Sequence, residues 1–362
     1  MGKNSCIKRL KVFTMKKVTQ GKVLLIHTWG IGDLILLTPV LQAVKTLYPL
    51  LELEILFFPK SAAIPVTDAP FISKIHFTGW KANLLLPTLF QLRKEKYQAV
   101  LFSSGVRPWK TWLFMLLLKA EIKVGEYKKF RYPGLSVYVK FNPLLSRTRS
   151  NYTLFQSFLN LPSWEEAIAR QNELNLYPYF HLTEANHQWA ENFLAENNLT
   201  GKKVIGIHPG SMAKNKRRRW NKEYFIALIE KLKRQYDYPI LIIAGPDEIE
   251  VGKAIQARTK TLLLQNALLE NVAAVISRLH FFINTDSGLG HIASCFGIKG
   301  LTIFGPANEL QTAPFSNNSN IIRYPVDCAP CIDKKKKPKC TLDCLLKLTP
   351  DMVFKRVQEL LD

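Results

Sequence analysis

Short apolar runs alternate with amphipathic segments along most of this sequence, and that alternation limits the chain to few folds. Residues 22–27 and 53–58 are typical of buried strands, and residues 33–47 between them place leucines at helical spacing. The same order restarts at residues 202–208 and continues to residues 301–304. Strands that alternate with helices form parallel sheets covered on both faces. We therefore predict an α/β chain of two doubly wound, Rossmann-like domains that face each other across a cleft.

The other predicted elements keep this order. Strands are expected at 99–103, 240–244, 262–264 and 281–284, and helices at 84–94, 221–234, 248–258, 270–278, 288–296 and 350–361. The polar segment 172–186 is predicted to link the domains. The expected division is a basic extension at 1–21, domains at 22–175 and 186–349, and a C-terminal helix at 350–362. A length of 362 residues agrees with two domains.

The net charge of +22 is concentrated in three blocks. Residues 1–20 hold six Lys or Arg and no acid, residues 211–234 hold nine against two acids, and residues 333–340 hold five Lys against one Asp. An excess of this kind indicates an anionic partner. The sequence contains neither a spanning apolar run nor an apolar signal core after the basic N-terminus. We therefore expect a cytoplasmic protein, with the first block attracted to an anionic membrane face.

Four of the six cysteines form a cluster: Cys328, Cys331, Cys340 and Cys344. In a reducing compartment this spacing favours metal over disulfide, although the second gap is short for a zinc ribbon. Two interpretations stay open. In the first, the cysteines form a structural metal site, with zinc as the candidate, or a redox-linked cluster; in the second, they are free thiols. No base lies beside the cluster in sequence, so a catalytic role is not expected.

Residues 28–33, Thr-Trp-Gly-Ile-Gly-Asp, separate the first predicted strand from the first helix. Their glycines permit a tight turn, but position 35 is Ile, where a dinucleotide fingerprint needs its third glycine. Asp33 has two interpretations: it caps the helix, or it is a general base at the carboxyl end of a strand, where ligands bind in such sheets.

The second domain carries comparable motifs. His208-Pro-Gly-Ser211 precedes the basic run that ends at Trp220, and this run is a phosphate grip, a solvated loop or a nucleic-acid contact. No nucleic-acid module accompanies it, so nucleic acid is not expected as a partner. Residues 284–291 place Asp286, Ser287 and Gly288 at a helix N-terminus, a ready anion site. Glu248, after the next strand, either binds a ribose hydroxyl or complements a helix end.

Taken in order, these motifs resemble glycosyltransferase family 9, the lipopolysaccharide heptosyltransferases of GT-B fold. The matching segments are residues 30–39, 207–211, 218–220, 245–248, 285–291 and 304–306, and the cysteine segment resembles the second heptosyltransferase type. The resemblance implies an inverting enzyme that moves heptose from ADP-heptose to an anionic, lipid-linked lipopolysaccharide core without a required metal. It also implies peripheral attachment to the inner face of the cytoplasmic membrane.

The resemblance also implies roles for individual residues. Asp33 matches the general base. The donor-binding residues implied are Ser211, Arg218, Glu248, Asp286, Ser287, Gly288, Leu289 and His291. The acceptor domain would be the first one, with Gly32, Arg107, Lys128 and Arg131 as acceptor-binding candidates. The chain departs from the family pattern at Ser103-Ser-Gly105, where an acidic residue is usual, and at Arg218, where Lys is usual. Alternatives are the same fold with another nucleotide sugar or glycan, or a non-catalytic protein that binds polyanions or membranes.

Overall fold

The computed structural model describes residues 18–58, 60–106, 108–131, 133–210, 217–331 and 340–362. Arg107, Ser211, most of the basic N-terminal block and the lysine run at 333–337 lie outside the described residues.

The first domain is built on a parallel sheet of six strands in the order β3-β2-β1-β4-β5-β6. The strands are β1 Gly21–His27, β2 Leu51–Phe57, β3 Lys74–Phe77, β4 Tyr97–Phe102, β5 Ala120–Tyr127 and β6 Val137–Lys140. The helices are α1 Ile31–Ile35, α2 Thr38–Leu47, α3 Ala82–Lys94, α4 Pro108–Leu117, α5 Arg147–Gln156 and α6 Trp164–Ala169, with a 3₁₀ helix at Lys60–Val66.

The second domain repeats this plan with the strand order β12-β11-β10-β7-β8-β9, again parallel. The strands are β7 Ile205–His208, β8 Ile240–Ile243, β9 Leu262–Leu264, β10 Phe281–Thr285, β11 Gly300–Phe304 and β12 Ser319–Arg323. The helices are α7 Glu184–Glu196, α8 Lys222–Gln235, α9 Ile249–Thr259, α10 Leu269–Ile276, α11 Gly288–Cys295, α12 Glu309–Thr312, α13 Asp343–Leu346 and α14 Pro350–Leu361.

Each sheet is covered on both faces, as the apolar runs predict. In β1, Val23 and Leu25 belong to the core beneath α2 and α5, whereas Leu24 and Ile26 belong to the core beneath α3 and α4. Alternate residues of a strand point to opposite faces, so a strand that is apolar throughout needs a cover on each side. The C-terminal helix α14 packs against α8 and completes the core of the second domain.

The single helix predicted for residues 33–47 is wrong in one respect, because the chain forms two helices there. Helix α1 ends at Ile35 and α2 begins at Thr38, with Pro39 in its first turn. Proline lacks the N–H that a continuing helix would need and is tolerated in a first turn. The Thr38 hydroxyl donates to the carbonyl oxygen of Ile35 across the break, at 2.8 Å.

The two domains touch through α1 and α11. Ile35 of α1 is buried in the core of the second domain, in the same cluster as Ile292 and Ala293 of α11. This contact brings the carboxyl end of β1 close to the carboxyl end of β10, where the predicted site residues lie. No helix among the described residues combines the length and apolar character needed to cross a bilayer.

Candidate active site

The predicted base and the predicted anion site meet at the contact between the domains. A methyl group placed on Gly32 would lie only 2.7 Å from Cδ2 of His291, so only glycine fits there without displacing the imidazole. Asp33 follows Gly32 on α1, and the first turn of α11 begins three residues before His291. The structure therefore brings Gly32, Asp33 and the segment 286–291 to one cleft.

Asp33 is not the N-cap of its helix. Gly30 holds that position, with extended backbone, and Asp33 lies in the first turn. The capping interpretation is therefore wrong, because the chain turns into the helix earlier than the sequence pattern indicates. The Asp33 carboxylate is one-third exposed, and Nε of Arg147 lies 3.7 Å from its Oδ1. An exposed carboxylate at the mouth of a cleft can accept a proton from a substrate hydroxyl.

Arg147 is a site residue that no sequence motif indicates. It is the first residue of α5, and the Ser146 hydroxyl caps this helix by accepting from the backbone N–H of Arg149. The guanidinium is largely buried and lies 5.8 Å from the ring centre of Trp29. Gly105, with φ of +90°, leaves room for this guanidinium, because a Cβ on residue 105 would sit 1.8 Å from Nη1 of Arg147. Residues 105 and 147 are far apart in the chain, so only the fold reveals this pair.

An acidic side chain does reach the end of β4, but it comes from the neighbouring strand. Glu126 of β5 accepts from the Ser104 hydroxyl and from the backbone N–H of Gly105, both at 2.7 Å. Burial raises the pKa of Glu126, while these two hydrogen bonds and the charges of Arg147 and Lys128 oppose that rise. A carboxylate is thus present at the end of β4 although residues 103–105 themselves provide none.

In the second domain, two consecutive arginines each meet a carboxylate. Nη1 of Arg218 lies 2.8 Å from Oδ2 of Asp286, and Nη2 of Arg219 lies 3.3 Å from Oε1 of Glu248. Nη2 of Arg219 also donates to the carbonyl oxygen of Asp247 at 3.0 Å. The motifs predict Arg218 for this cleft but do not single out Arg219. The next residue is Trp220, whose buried indole N–H donates to the Leu348 carbonyl and anchors the loop.

Glu248 is buried and its side chain does not cap α9, although its backbone occupies the N-cap position. Burial raises the pKa of this carboxyl group, and Arg219 is the main influence in the opposite direction. Gly210 makes the close approach possible, since a Cβ there would lie 1.8 Å from Cγ of Glu248. These contacts do not distinguish a ribose-binding role from a complement of the helix end, and both stay predictions.

The N-terminus of α11 opens into the cleft. Ser287 is its N-cap but makes no side-chain capping bond, and no atom of the described residues is recorded within 4 Å of a Cβ added to Gly288. Several buried polar atoms in this region make no hydrogen bond among the described residues: Arg147 Nε, Arg218 Nε, Asn284 Oδ1, Ser287 Oγ and His291 Nδ1. Such atoms usually mark a site for water or a ligand. The adjacent Leu289 packs against the domain core instead.

The two histidines of the second-domain motifs are uncharged at neutral pH. Burial lowers the pKa of His291 to about 4, with the nearby charge of Arg218 adding to the effect, and burial also lowers the pKa of His208 to about 4. Nδ1 of His208 lies 2.8 Å from the Ile243 carbonyl oxygen. These imidazoles therefore provide shape and neutral hydrogen-bonding groups rather than positive charge.

Of the described acceptor-binding candidates, Gly32 lies at the domain contact, whereas Lys128 and Arg131 follow β5 and lie against aromatic rings. Nζ of Lys128 lies 4.4 Å from the ring centre of Phe141. The guanidinium of Arg131 lies 4.8 Å from the ring centre of Tyr127 and 5.6 Å from that of Tyr138. Both side chains are exposed, so these cation–π contacts leave their charge in solvent.

The cysteine cluster lies behind the loop that follows β11. The backbone N–H of Cys331 donates to the Pro306 carbonyl oxygen, and Cys344 is buried beside Leu345, which contacts Gly305. Burial and the other three cysteines raise the pKa of Cys344 to about 11. Among the described residues, no group of three or more ligands is arranged to hold a metal ion. The expectation of a structural zinc site therefore finds no support in the structure.

Comparisons with known proteins agree with this architecture. A family model described as glycosyltransferase family 9 (heptosyltransferase) matches residues 89–342. Lipooligosaccharide heptosyltransferase 2 of Campylobacter jejuni is 30% identical over 172 residues, which cover 44% of this chain and 52% of that protein. The chain thus spans about half the length of this relative.

Two solved structures share the fold. The family 9 glycosyl transferase of Veillonella parvula has a TM-score of 0.75 at 17% identity, and the match covers 96% of this chain and 99% of that one. The ADP-heptose LPS heptosyltransferase II of E. coli has a TM-score of 0.70 at 18% identity, with 94% and 98% covered. The predicted GT-B architecture is therefore confirmed. Because the family model matches most of the chain, this protein belongs to glycosyltransferase family 9.

Proposed function

We propose that this protein is an inverting glycosyltransferase that moves heptose from ADP-heptose to an anionic lipopolysaccharide core acceptor. The observation that carries the proposal is the packing of Gly32, next to Asp33, against His291 of α11, in a cleft where several buried polar atoms make no hydrogen bond with the described residues. A base from one domain and an anion site from the other are what such a transfer needs. The similar E. coli enzyme is named for ADP-heptose, which supports the choice of donor.

In the proposed reaction, Asp33 accepts the proton of an acceptor hydroxyl as its oxygen attacks the anomeric carbon of the donor sugar. The bond from that carbon to the distal phosphate oxygen breaks, and the diphosphate leaves with its bonding electrons. Attack and departure occur on opposite sides of the carbon, so the configuration inverts. The negative charge that grows on the leaving diphosphate must be stabilised in the transition state.

Arg218 and the backbone N–H groups at the start of α11 are the groups proposed to stabilise this charge. A helix N-terminus carries partial positive charge and orphan donors, and an arginine binds phosphate through two parallel hydrogen bonds. We therefore infer that the chemistry requires no metal. Asp286 holds Arg218 in place beside the helix end, and Glu248 is proposed to bind the ribose of the donor.

The acceptor is proposed to lie against the first domain, where Arg147 lies beside the Asp33 carboxylate and Lys128 and Arg131 lie in the loop after β5. Cations on this domain favour an acceptor that carries carboxylate or phosphate groups. A lipid-linked acceptor would be met at the inner face of the cytoplasmic membrane, where we expect the protein to be attached peripherally.

The test is a transfer assay with ADP-heptose and truncated lipopolysaccharide cores, with product analysis of the anomeric configuration. Transfer with inversion, insensitive to chelators, is expected. Retention of configuration, or a chelator-dependent reaction, would contradict the mechanism. Thermal unfolding with ADP, UDP or GDP distinguishes the alternative donors, because only the matching nucleotide should stabilise strongly. Polyanion binding that is unaffected by substitution of Asp286 or Glu248, without transfer, would instead indicate a non-catalytic binding protein.

A further inference from the structure

Two neighbouring helices of the first domain carry large apolar side chains on their outer surface. Helix α3 buries Leu89 and Leu92 against the sheet, yet Leu84, Leu86 and Phe90 point outward. Helix α4 buries Phe114 and Met115, and exposes Leu116 and Leu117. With Trp80 before α3, the exposed fractions of these side chains range from 39% to 66%. We call this surface the α3–α4 face: Trp80, Leu84, Leu86, Phe90, Leu116 and Leu117.

The α3–α4 face is continuous rather than scattered. Both helices cover the same core, and the Trp80 ring centre lies 4.2 Å from that of Phe58 and 6.3 Å from that of Phe114. At the opposite end of the helices, one depression is lined by Phe90 and Arg93 from α3 together with Lys119, which follows α4. Isolated exposed apolar residues are normal on protein surfaces, but a contiguous group indicates an interaction site.

Exposed cations border this face. They are Lys81, Arg93, Lys94, Lys96 and Lys119. Residues 80–94 and 104–119 contain no Asp or Glu. Two acids, Glu95 and Glu121, line the depression at the end of the face: Glu95 pairs with Nζ of Lys22 at 2.6 Å, and Glu121 accepts from Nε2 of Gln98 at 3.2 Å. Five cations against these two carboxylates leave the border positively charged.

A surface of this composition matches an anionic lipid bilayer. Apolar side chains enter the region between headgroups and acyl chains, while lysine and arginine side chains reach the phosphate level. Each cation near an anionic surface strengthens binding by roughly fivefold. Protein–protein interfaces are depleted in lysine, whereas four of the five cations that border this face are lysines. Charge complementarity thus favours lipid over a second polypeptide.

We propose that the α3–α4 face is the surface through which this protein docks on an anionic membrane. The loop that leads into α4 contains Ser104 and Gly105, which contact Glu126 and Arg147 at the candidate active site. Docking through this face places the first-domain half of the cleft beside the headgroups. The proposal does not rest on the transfer activity, because bilayer binding needs neither donor nor acceptor.

The test is flotation of the full chain with vesicles of phosphatidylcholine alone or with about one quarter phosphatidylglycerol, a fraction chosen to give a strongly anionic surface. One variant combines Leu84→Gln, Leu86→Gln and Phe90→Gln, and a second combines Arg93→Gln, Lys94→Gln and Lys96→Gln. The matched control combines Leu268→Gln and Leu310→Gln, two exposed apolar residues of the second domain. Thermal unfolding of all three variants checks that the fold is retained.

The wild-type chain and the control should bind the anionic vesicles and should not bind the neutral ones. Removal of the three cations should weaken binding by roughly 100-fold, and the apolar variant should lose most of its binding at the same ionic strength. Retention of wild-type binding by both variants would overturn the proposal and assign attachment to the basic N-terminal block. Sedimentation that shows a wild-type dimer and a monomeric apolar variant would overturn it too, since a second copy would then cover the face.

Discussion

The guanidinium of Arg147 lies 3.7 Å from the carboxylate of Asp33, although the two residues are 114 positions apart and belong to different helices. Arg147 also fills the space left by Gly105 and lies over the ring of Trp29. The proposed base therefore has a cation of fixed position beside it, which can orient its carboxylate and meet a negative group of the acceptor.

Replacement of Asp33 should abolish most of the transfer without loss of the donor site. A general base typically contributes about 10²–10⁴-fold to a rate, so Asp33→Asn should lower kcat by that order. The affinity for ADP should change by no more than about twofold, because no donor-binding group is removed. Initial-rate kinetics and nucleotide titration provide the two readouts. Asp237→Asn, an exposed substitution of the same chemistry, is the control, and full activity of Asp33→Asn would exclude the base assignment.

Substitution of Arg147 should affect the acceptor more than the donor. Loss of a charge-assisted contact corresponds to about 1.5–3 kcal/mol, so Arg147→Ala should reduce kcat/KM for the acceptor by roughly 10–150-fold. Arg147→Lys should recover only part of this, since an ammonium group cannot reproduce the planar fork. Arg149→Ala, which removes a cation of the same helix that is paired with Glu165, is the matched control. Equal losses in both alanine variants would indicate damage to α5 instead.

Arg218→Ala should weaken binding of ADP by roughly 10-fold or more, because it removes a cation from the start of α11 and leaves Asp286 buried beside the diphosphate site. Isothermal titration measures this affinity. Arg258→Ala removes a more exposed arginine of the same domain and should bind ADP as the wild type does. If the two variants bound ADP equally well, Arg218 would have no role in donor recognition.

The contact between Gly32 and His291 predicts a strong difference between two neighbouring glycines. A Cβ on Gly32 would meet the buried imidazole at 2.7 Å, whereas a Cβ on Gly30 would have no neighbour within 4 Å among the residues that the structure describes. Gly32→Ala should therefore lower the free energy of unfolding by about 1–3 kcal/mol, as overpacking commonly does. Gly30→Ala should leave it nearly unchanged. Chemical denaturation of both variants measures these free energies. The double variant Gly32→Ala with His291→Ala should be more stable than Gly32→Ala alone if the clash with the imidazole is the cause.

Stability should fall as the solution is acidified. Burial lowers the pKa values of His27, His208 and His291 to about 4, against about 6.5 in an unfolded chain. Between these values the unfolded chain binds protons that the folded chain does not, so the free energy of unfolding decreases as pH falls through this window. The decrease between pH 7 and pH 5 is about 2 kcal/mol per imidazole. Urea denaturation at both pH values would measure it, and constant stability would contradict neutral burial.

Much of the fold follows from the sequence because it depends on local pattern. The strand at residues 262–264 and the helix at 350–361 have the predicted bounds, and most other predicted elements differ by one to three residues at their ends. Strands β3, β5, β6 and β12 and helices α5, α6, α7, α12 and α13 are not among the predicted elements. Three of these strands, β3, β6 and β12, lie at sheet edges and bury few residues, so they lack the apolar run that marks a central strand. The continuous helix predicted for residues 33–47 is wrong because apolar spacing persists through Pro39, although the backbone hydrogen bonding cannot.

The site is only partly predictable for a related reason. Asp33 and the segment 286–291 carry glycines and turn residues that mark strand ends, so local reasoning finds them. Arg147, Glu126 and Arg219 act through partners that are far away in sequence or on another strand. No spacing rule reveals such pairs. Glu126 could have been suggested from the sequence only by predicting which strands are neighbours in the sheet and then noting the charged residues at their carboxyl ends.

Arg218 pairs with Asp286 and Arg219 pairs with Glu248, and these ion pairs reduce the positive charge that the basic loop offers to a ligand. Two of its cations are already neutralised from within the protein, so a polyanion of arbitrary shape gains little from them. On the proposed function, a nucleoside diphosphate would compete with these carboxylates for the arginines, and its ribose would compete with Arg219 for Glu248. Selectivity would then depend on how well a ligand replaces these internal contacts, and negative charge alone would not be sufficient for binding.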